Sequence, residues 1–435
     1  IPSPLFARLL LVVVVLVFSL AAAGASPPQS TAQTFGVNQQ RSGLAPILGI
    51  TSVSRLDSSS IRAITSPAYS NESDFVVVTY TLTGTSLYTC SCTARKGGVY
   101  RTVELPQALQ FPYAANVIGI ASLSSDDRAY VVASSNYKSF MLAYSHSCDL
   151  QYALELPASG GSLSPVVLAD NSVVIGVANQ VRVVANASDP IGGVPLWNTT
   201  LDASARSIGL ALSVDNSTGV LFVSYSTQSG RYQAAIEALA PLRSGVVGFS
   251  PLWAQRVDLP SQAVYCGGSA FCSLTPVLCG SQVLLTTPTA VLAFDQATGI
   301  QKWSFGGSFP GAYHQPACHP SGMIVVIDGT ATLVAFHAVG TSISEMWRRS
   351  TGAFDVVRAP VIDAAGSVYV IGGAATAGDA NGAKLFAFDY KGNLLFARST
   401  NVPPNAATTP QYMSQPVLLR DRIVVAVGDL VSYFP

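Results

Sequence analysis

The sequence of 435 residues is balanced at 23 basic against 23 acidic side chains, so it lacks the basic surplus that nucleic acid or an anionic membrane surface calls for. Hydrophobic residues make up 49% and charged residues only 11%, and the mean hydropathy is +0.40. A chain this oily, with no convincing 3.6-residue period anywhere, fits strands that are buried on both faces.

In chain order, Arg8 precedes an apolar run over residues 9–25, and Ala23-Gly24-Ala25 has the small-x-small form of a signal-peptidase site. Residues 1–25 therefore read as a secretory signal cut near Ala25, the competing reading being an uncleaved membrane anchor. Either places the remainder outside the cytosol, as a secreted or lumenal protein or as an anchored one. Residues 26–34 form a Pro/Ser/Thr/Gln linker with nothing to bury, and residues 35–435 read as a single domain.

Four Asn-x-Ser/Thr acceptors, at Asn71, Asn186, Asn198 and Asn216, agree with export, as do seven cysteines that an oxidising compartment would pair. The expected pairs are Cys266 with Cys272, across a short Gly-rich loop, and Cys279 with Cys318, near the starts of successive repeats. Cys148 is left to pair with Cys90 or Cys92, with one thiol over.

From Phe35 onward short strands recur. Six units open on a strand led by proline, at Pro67, Pro165, Pro276, Pro316, Pro360 and Pro416; two open without it, at Gly119-Ile120-Ala121 and Gly209-Leu210-Ala211. Proline has no N–H to give to a ladder, so it suits the first residue of a strand. A polar turn follows, then the strongest strand of each unit, over residues 75–80, 129–133, 172–178, 220–225, 282–287, 323–327, 367–371 and 423–427. A third strand ends in Ala-Phe-Asp or a variant of it. The fourth carries a large aromatic: all four tryptophans, Trp197, Trp253, Trp303 and Trp347, fall here in successive units, and Phe396 takes the place in the next.

Eight openings predict an all-β fold, an eight-bladed β-propeller of four-stranded antiparallel blades. The last unit runs out after three strands, so an N-terminal strand near residues 50–56 is expected to complete the last blade and close the ring without an exposed edge.

The fullest copy of the repeat is Ala293-x-Asp295-x-x-Thr298-Gly299-x-x-x-Trp303. It resembles the tryptophan-docking motif of the pyrroloquinoline-quinone-like propeller repeat, the repeat of quinoprotein alcohol dehydrogenases. Residues 35–46 resemble the segment that leads into the first blade there. The seventh unit keeps Ala387, Asp389 and Gly392 with Phe396 for Trp, and the sixth has His337 for Asp. The resemblance implies that these residues are architectural, the aromatic packing between blades while Asp and Gly shape the hairpin.

No cofactor or calcium ligand carries over position by position. The family's cofactor-side disulfide joins adjacent cysteines, whereas Cys90-Ser91-Cys92 is the nearest approach here. His314, Cys318 and His319 cluster as zinc-type ligands with Cys279 as a fourth, against the plainer reading of a disulfide and solvent-facing imidazoles. Asp126-Asp127 and Asp379-Ala380-Asn381 read as solvated turns rather than calcium loops. The expectation is a monomeric, non-catalytic binding or scaffolding module, with no catalytic, cofactor or metal site, that meets a protein or small ligand at a propeller face. The alternative is a quinoprotein-like oxidoreductase holding the quinone and calcium at the central channel.

Overall fold

A computed structural model describes the strands and turns between residues 57 and 434, with side chains mostly from residue 128 onward. Outside the description lie residues 1–56, 61–67, 70–74, 84–86, 97–98, 105–116, 119–121, 124–127, 135–138, 146–148, 157–164, 178, 186–194, 202–204, 229–231, 243–246, 260–274, 310–314, 353, 357–358, 375–382, 401–414, 419–422, 428–429 and 435. All described residues fall in the unit Thr31–Pro435. Every regular element among them is a strand, and no helix among them is long and apolar enough to cross a membrane.

The strands pair with their chain neighbours into antiparallel sheets. Sheet 1 holds Ala68–Tyr69, Phe75–Thr83, Leu87–Lys96 and Val99–Glu104. Sheet 2 holds Val117–Ile118, Ser122–Leu123, Ala129–Ser134, Ser139–Tyr144 and Leu150–Leu156. Sheet 3 runs through Val166–Val167, Val173–Val177, Gln180–Val184 and Pro195–Thr200; sheet 4 through Ala205–Val214, Leu221–Gln228, Tyr232–Pro241 and Phe249–Asp258. Sheet 5 is Val277–Cys279, Gln282–Thr286, Ala290–Asp295 and Gln301–Gly306, and sheet 6 is Ala317–Cys318, Met323–Asp328, Thr332–Val339 and Ser342–Ser350. Sheet 7 comprises Phe354–Val356, Val361–Ile362, Val368–Ala374, Ala383–Phe388 and Leu394–Ser399. Sheet 8 has Val417–Leu418, Ile423–Val427 and Leu430–Phe434, and its outer position is filled by Asp57–Ser60, paired Asp57 to Tyr433 through Ser60 to Leu430.

That last pairing corrects the expected closing segment: the paired strand is Asp57–Ser60, and residues 50–56 lie outside the described residues. An edge strand is held by main-chain hydrogen bonds, which Asp-Ser-Ser-Ser makes as well as any apolar run.

Sheets 2 and 7 also depart from four strands. In sheet 7, Phe354–Val356 and Val361–Ile362 pair with opposite ends of the same Val368–Ala374 strand. The innermost strand is thus split, and Pro360, which has no N–H to donate, sits just ahead of its second half. Sheet 4, which has no such proline, keeps one unbroken ten-residue strand, Ala205–Val214, with a register shift between Arg206 and Ala211.

Alternation along the second strands explains the near-continuous Val/Ile/Leu runs. On Met323–Asp328, Met323, Val325 and Ile327 pack against Ile362, Val368 and Val370 of sheet 7, while Ile324 and Val326 pack against Val277, Leu284 and Val291 of sheet 5. Val173, Ile175 and Val177 likewise face sheet 2, and Val174 faces sheet 4. From sheet 2 to sheet 8 each sheet shares a buried cluster with the next. Each such side chain, fully buried, contributes about 1.5–3 kcal/mol.

Candidate functional site

In sheets 5, 6 and 7 a hairpin joins the last two strands, and the hairpins of sheets 5 and 7 share one construction. In sheet 5 the Asp295 carboxylate accepts hydrogen bonds from the Ala297 and Thr298 amides at 3.1 and 3.0 Å and from Thr298 Oγ1 at 3.0 Å. Its other oxygen lies 3.2 Å from Lys302 Nζ. The hydrogen bonds from Lys302 and Thr298 hold this carboxyl below the ordinary value of 3.8. In sheet 7, Asp389 takes the Lys391 and Asn393 amides at 2.9 and 2.7 Å and Asn393 Nδ2 at 2.8 Å. Burial pushes its pKa up, but the hydrogen bonds from Asn393 and Lys391 outweigh it and the carboxyl sits below the ordinary value.

Each hairpin closes on a left-handed glycine, Gly299 at φ +71° and Gly392 at φ +80°, and on each lies the tryptophan of the preceding sheet. Trp253 of sheet 4 covers Gly299 and donates its indole N–H to the Gln296 carbonyl at 2.8 Å. Trp347 of sheet 6 covers Gly392 and donates to the Tyr390 carbonyl at 2.9 Å. A Cβ on Gly299 would stand 2.6 Å from Trp253 Cδ2, inside any real contact distance. Gly299→Ala therefore combines about 1–2 kcal/mol of left-handed strain with displacement of the indole. The expected loss, measured by urea unfolding, is about 2–4 kcal/mol in total.

The other aromatics make variants of this contact. Trp197 of sheet 3 lies over Gly248 of sheet 4, where a Cβ would stand 2.5 Å from Trp197 Cδ1, and packs edge-on to Phe249 at 5.6 Å. Phe396 has no N–H and acts by packing alone, buried with Leu418, Ile423 and Phe434 of sheet 8.

Trp303 meets a hairpin with no Asp-turn, because sheet 6 has His337 in that place and turns over Gly340 and Thr341. Its indole N–H donates to Gln282 Oε1 at 2.9 Å, and Gln282 Nε2 donates onward to the Gly340 carbonyl at 3.2 Å. A side-chain amide of its own sheet thus relays the bond that Trp253 and Trp347 make directly. His337 serves the hairpin differently, its Nε2 donating to the Ser321 carbonyl at 2.7 Å.

Cys279 and Cys318 form a disulfide between the innermost strands of sheets 5 and 6. His319 faces Ser321 Oγ at 2.8 Å through Nδ1 and the Ala364 carbonyl of sheet 7 at 3.3 Å through Nε2. Cys279, Cys318 and His319 are thereby occupied by other partners than a zinc ion, and no group of three or more His, Cys, Asp and Glu converges among the described residues.

His314, Asp126, Asp127, Asp379, Asn381, Cys148, Cys266 and Cys272 lie outside the described residues, as do Asn71 and Asn186; Cys90 and Cys92 lie on Leu87–Lys96 with their side chains undescribed. Asn198, on the outermost strand of sheet 3, and Asn216, in a turn of sheet 4, are exposed.

Large apolar side chains also stand in solvent at the hairpins joining the last two strands: Ile300 in sheet 5, Val339 in sheet 6, and Tyr390 and Leu394 in sheet 7, with exposures of 62%, 61%, 36% and 56%. Sequence reading passed over them, since lone apolar residues in polar turns carry no period. Gly248 and Gln282 escaped it for the same reason: each acts on a neighbouring sheet rather than within a local pattern.

No protein-family model and no curated protein matches this sequence. Solved structures do match the fold. BamB from Moraxella catarrhalis superposes with a TM-score of 0.55 at 14% identity, covering 88% of this chain and 99% of that one. The C-terminal WD40 domain of Sif2 gives 0.54 at 11% identity, covering 88% and 98%. At such identities the likeness speaks for the fold alone, and the fold is that of a β-propeller.

Proposed function

We propose that this chain is an eight-bladed, monomeric propeller of the pyrroloquinoline-quinone-like repeat type, working outside the cytosol as a non-catalytic binding and scaffolding module. In this reading sheets 1 to 8 are the blades, and Asp57–Ser60 ties the first to the last. Residues 1–25 are its export signal, Asn198 and Asn216 carry glycans, and a protein partner sits on the face that the hairpins present.

One observation carries the reading. The polar groups of the repeat, the Asp295 and Asp389 carboxylates and the indole N–H groups of Trp253, Trp303 and Trp347, are engaged in holding hairpins together. The same hairpins leave Ile300, Val339 and Leu394 in water. Apolar side chains exposed on neighbouring turns suit a protein partner better than a small substrate.

The test is incubation with pyrroloquinoline quinone and calcium, followed by thermal denaturation and a dye-reduction assay with alcohols and sugars. The expected result is an unchanged melting temperature and no dye reduction. Quinone-dependent stabilisation with turnover would replace this reading by that of an oxidoreductase with its site at the central channel.

A further inference from the structure

The hairpin that joins the last two strands of sheet 7 is clamped by the fourth strand of sheet 6. Trp347 donates to the Tyr390 carbonyl at 2.9 Å, and Arg349 donates its Nε to the Gly392 carbonyl at 2.7 Å. The second bond sets the guanidinium beside the residue that follows Lys391, and both cationic side chains are exposed. Leu394, 56% exposed, stands opposite Phe388 in the ladder, and residues opposite one another project from the same face of a sheet. Phe388 stacks on Trp347, so Leu394 stands on the side of the hairpin that faces sheet 6, where Arg349 lies.

The cations near these hairpins are not used alike. Lys302 lies 3.2 Å from the Asp295 carboxylate, and Arg348 is held between Asp328 at 2.7 Å and Glu345 at 3.2 Å. Arg349 instead donates to main-chain carbonyls, those of Gly392 and Arg348, and neither it nor Lys391 forms a salt bridge among the described residues. The carboxylate of this hairpin, Asp389, is turned inward onto the Lys391 and Asn393 amides and Asn393 Nδ2, although the Lys391 charge adds to the attraction that lowers its pKa. Two cations thus stand in water against one carboxylate that the turn already uses. The bonds from Nε and from one N–H of Nη1 leave the Nη1–Nη2 edge of Arg349 for an outside acceptor.

We infer that this hairpin and the fourth strand of sheet 6 dock a protein segment in which an acidic side chain stands next to a large apolar one, the carboxylate between Arg349 and Lys391 and the apolar side chain on Leu394. A carboxylate fits the planar edge of a guanidinium with two parallel hydrogen bonds. Covering Leu394 removes from water an aliphatic surface that the fold itself leaves wet. An anionic membrane or a polyanionic sugar chain draws on a larger cluster of cations and gains nothing from Leu394, and the chain as a whole has no net charge to attract either. The hairpins of sheets 6 and 5 add Val339 and Ile300, 61% and 62% exposed, which suits an extended segment better than a lone side chain. The inference rests on the reading of the chain as a protein-binding propeller and names the chemistry of the partner.

The experiment selects short random peptides displayed on phage against the immobilised full chain. The enriched peptides are then measured by fluorescence anisotropy with the parent, Lys391→Glu, Leu394→Ser and Arg349→Gln. Lys391 and Leu394 are exposed at a turn, so the first two variants fold as the parent does, which far-UV circular dichroism checks; Arg349→Gln also loses the bond to Gly392 and is read beside them. The expected peptides carry Asp or Glu close to Leu, Ile, Val or Phe. Lys391→Glu weakens them about fivefold and Leu394→Ser about tenfold, and added salt weakens binding to the parent more than to Lys391→Glu. The docking site is overturned by enriched peptides without an acidic residue, by binding that both variants leave unchanged, or by no enrichment at all. It is equally overturned if heparin or phosphatidylserine vesicles bind there in place of any peptide. Running the quinone dye assay on the same preparations separates the two claims. Peptides that ignore both variants sink the site and keep a protein-binding module, whereas quinone-dependent dye reduction sinks the non-catalytic reading and leaves a variant-sensitive peptide site standing.

Discussion

Trp347→Ala lowers the unfolding free energy by about 3–5 kcal/mol, the range for removing a large buried aromatic. The indole is 5% exposed and belongs to a cluster in which Met323, Val325 and Leu333 of its own sheet meet Val368, Val370 and Phe386 of the next. It stacks on Phe388 at a centroid distance of 6.4 Å, covers Gly392 and donates to the Tyr390 carbonyl. Alanine empties that space and leaves the carbonyl to water.

Trp347→Phe keeps most of the packing and forfeits the hydrogen bond, so its loss is nearer 1 kcal/mol. Equilibrium urea denaturation of the three proteins, followed by tryptophan fluorescence and far-UV circular dichroism, gives both differences. Equal losses for Ala and Phe would mean that the N–H, not the packed ring, joins sheets 6 and 7.

Reduction of the Cys279–Cys318 bond, or Cys279→Ser with Cys318→Ser, costs about 4 kcal/mol at 25 °C. The two cysteines are 39 residues apart, and a cross-link over that separation removes this much chain entropy from the unfolded state in the loop-closure picture. Denaturation with and without a thiol reductant measures it. The paired serine variant is the control, since it is insensitive to reductant if this is the bond being broken. Both cysteines sit at the ends of innermost strands only two or three residues long, which have few ladder hydrogen bonds of their own. The cross-link holds where the sheets are weakest.

Much of the architecture was written in residues whose effect is local or periodic. The Val/Ile runs mark second strands because a strand flanked by a sheet on each side buries both rows of side chains, as Met323 to Ile327 do. The tryptophans mark fourth strands because each must clear its own sheet to reach the next hairpin. Prolines mark the short innermost strands through the missing N–H.

What was not legible acts across sheets or through the main chain. Asp57–Ser60 has no apolar residue to announce a strand. The Gln282 relay exists only because sheet 6 turns without an Asp, a condition set by residues 55 and more positions downstream of it. Arg349 and Lys391 read as unrelated surface cations until the hairpin of sheet 7 is seen against sheet 6.

The pairing of Asp57–Ser60 with Leu430–Phe434 has a consequence for how the molecule is made. Residues 57–60 must wait until residues 430–434 have left the ribosome before the outermost row of sheet 8 can be laid down, and sheets made in between are complete before then. Closure of that seam, the strand pairing of greatest sequence separation among the described residues, is expected to be a slow step of folding because the loop-closure entropy is met before the contact forms. Joining the residues before Asp57 to those after Phe434 and opening the chain in an exposed hairpin instead moves the seam elsewhere without altering what the finished molecule contains.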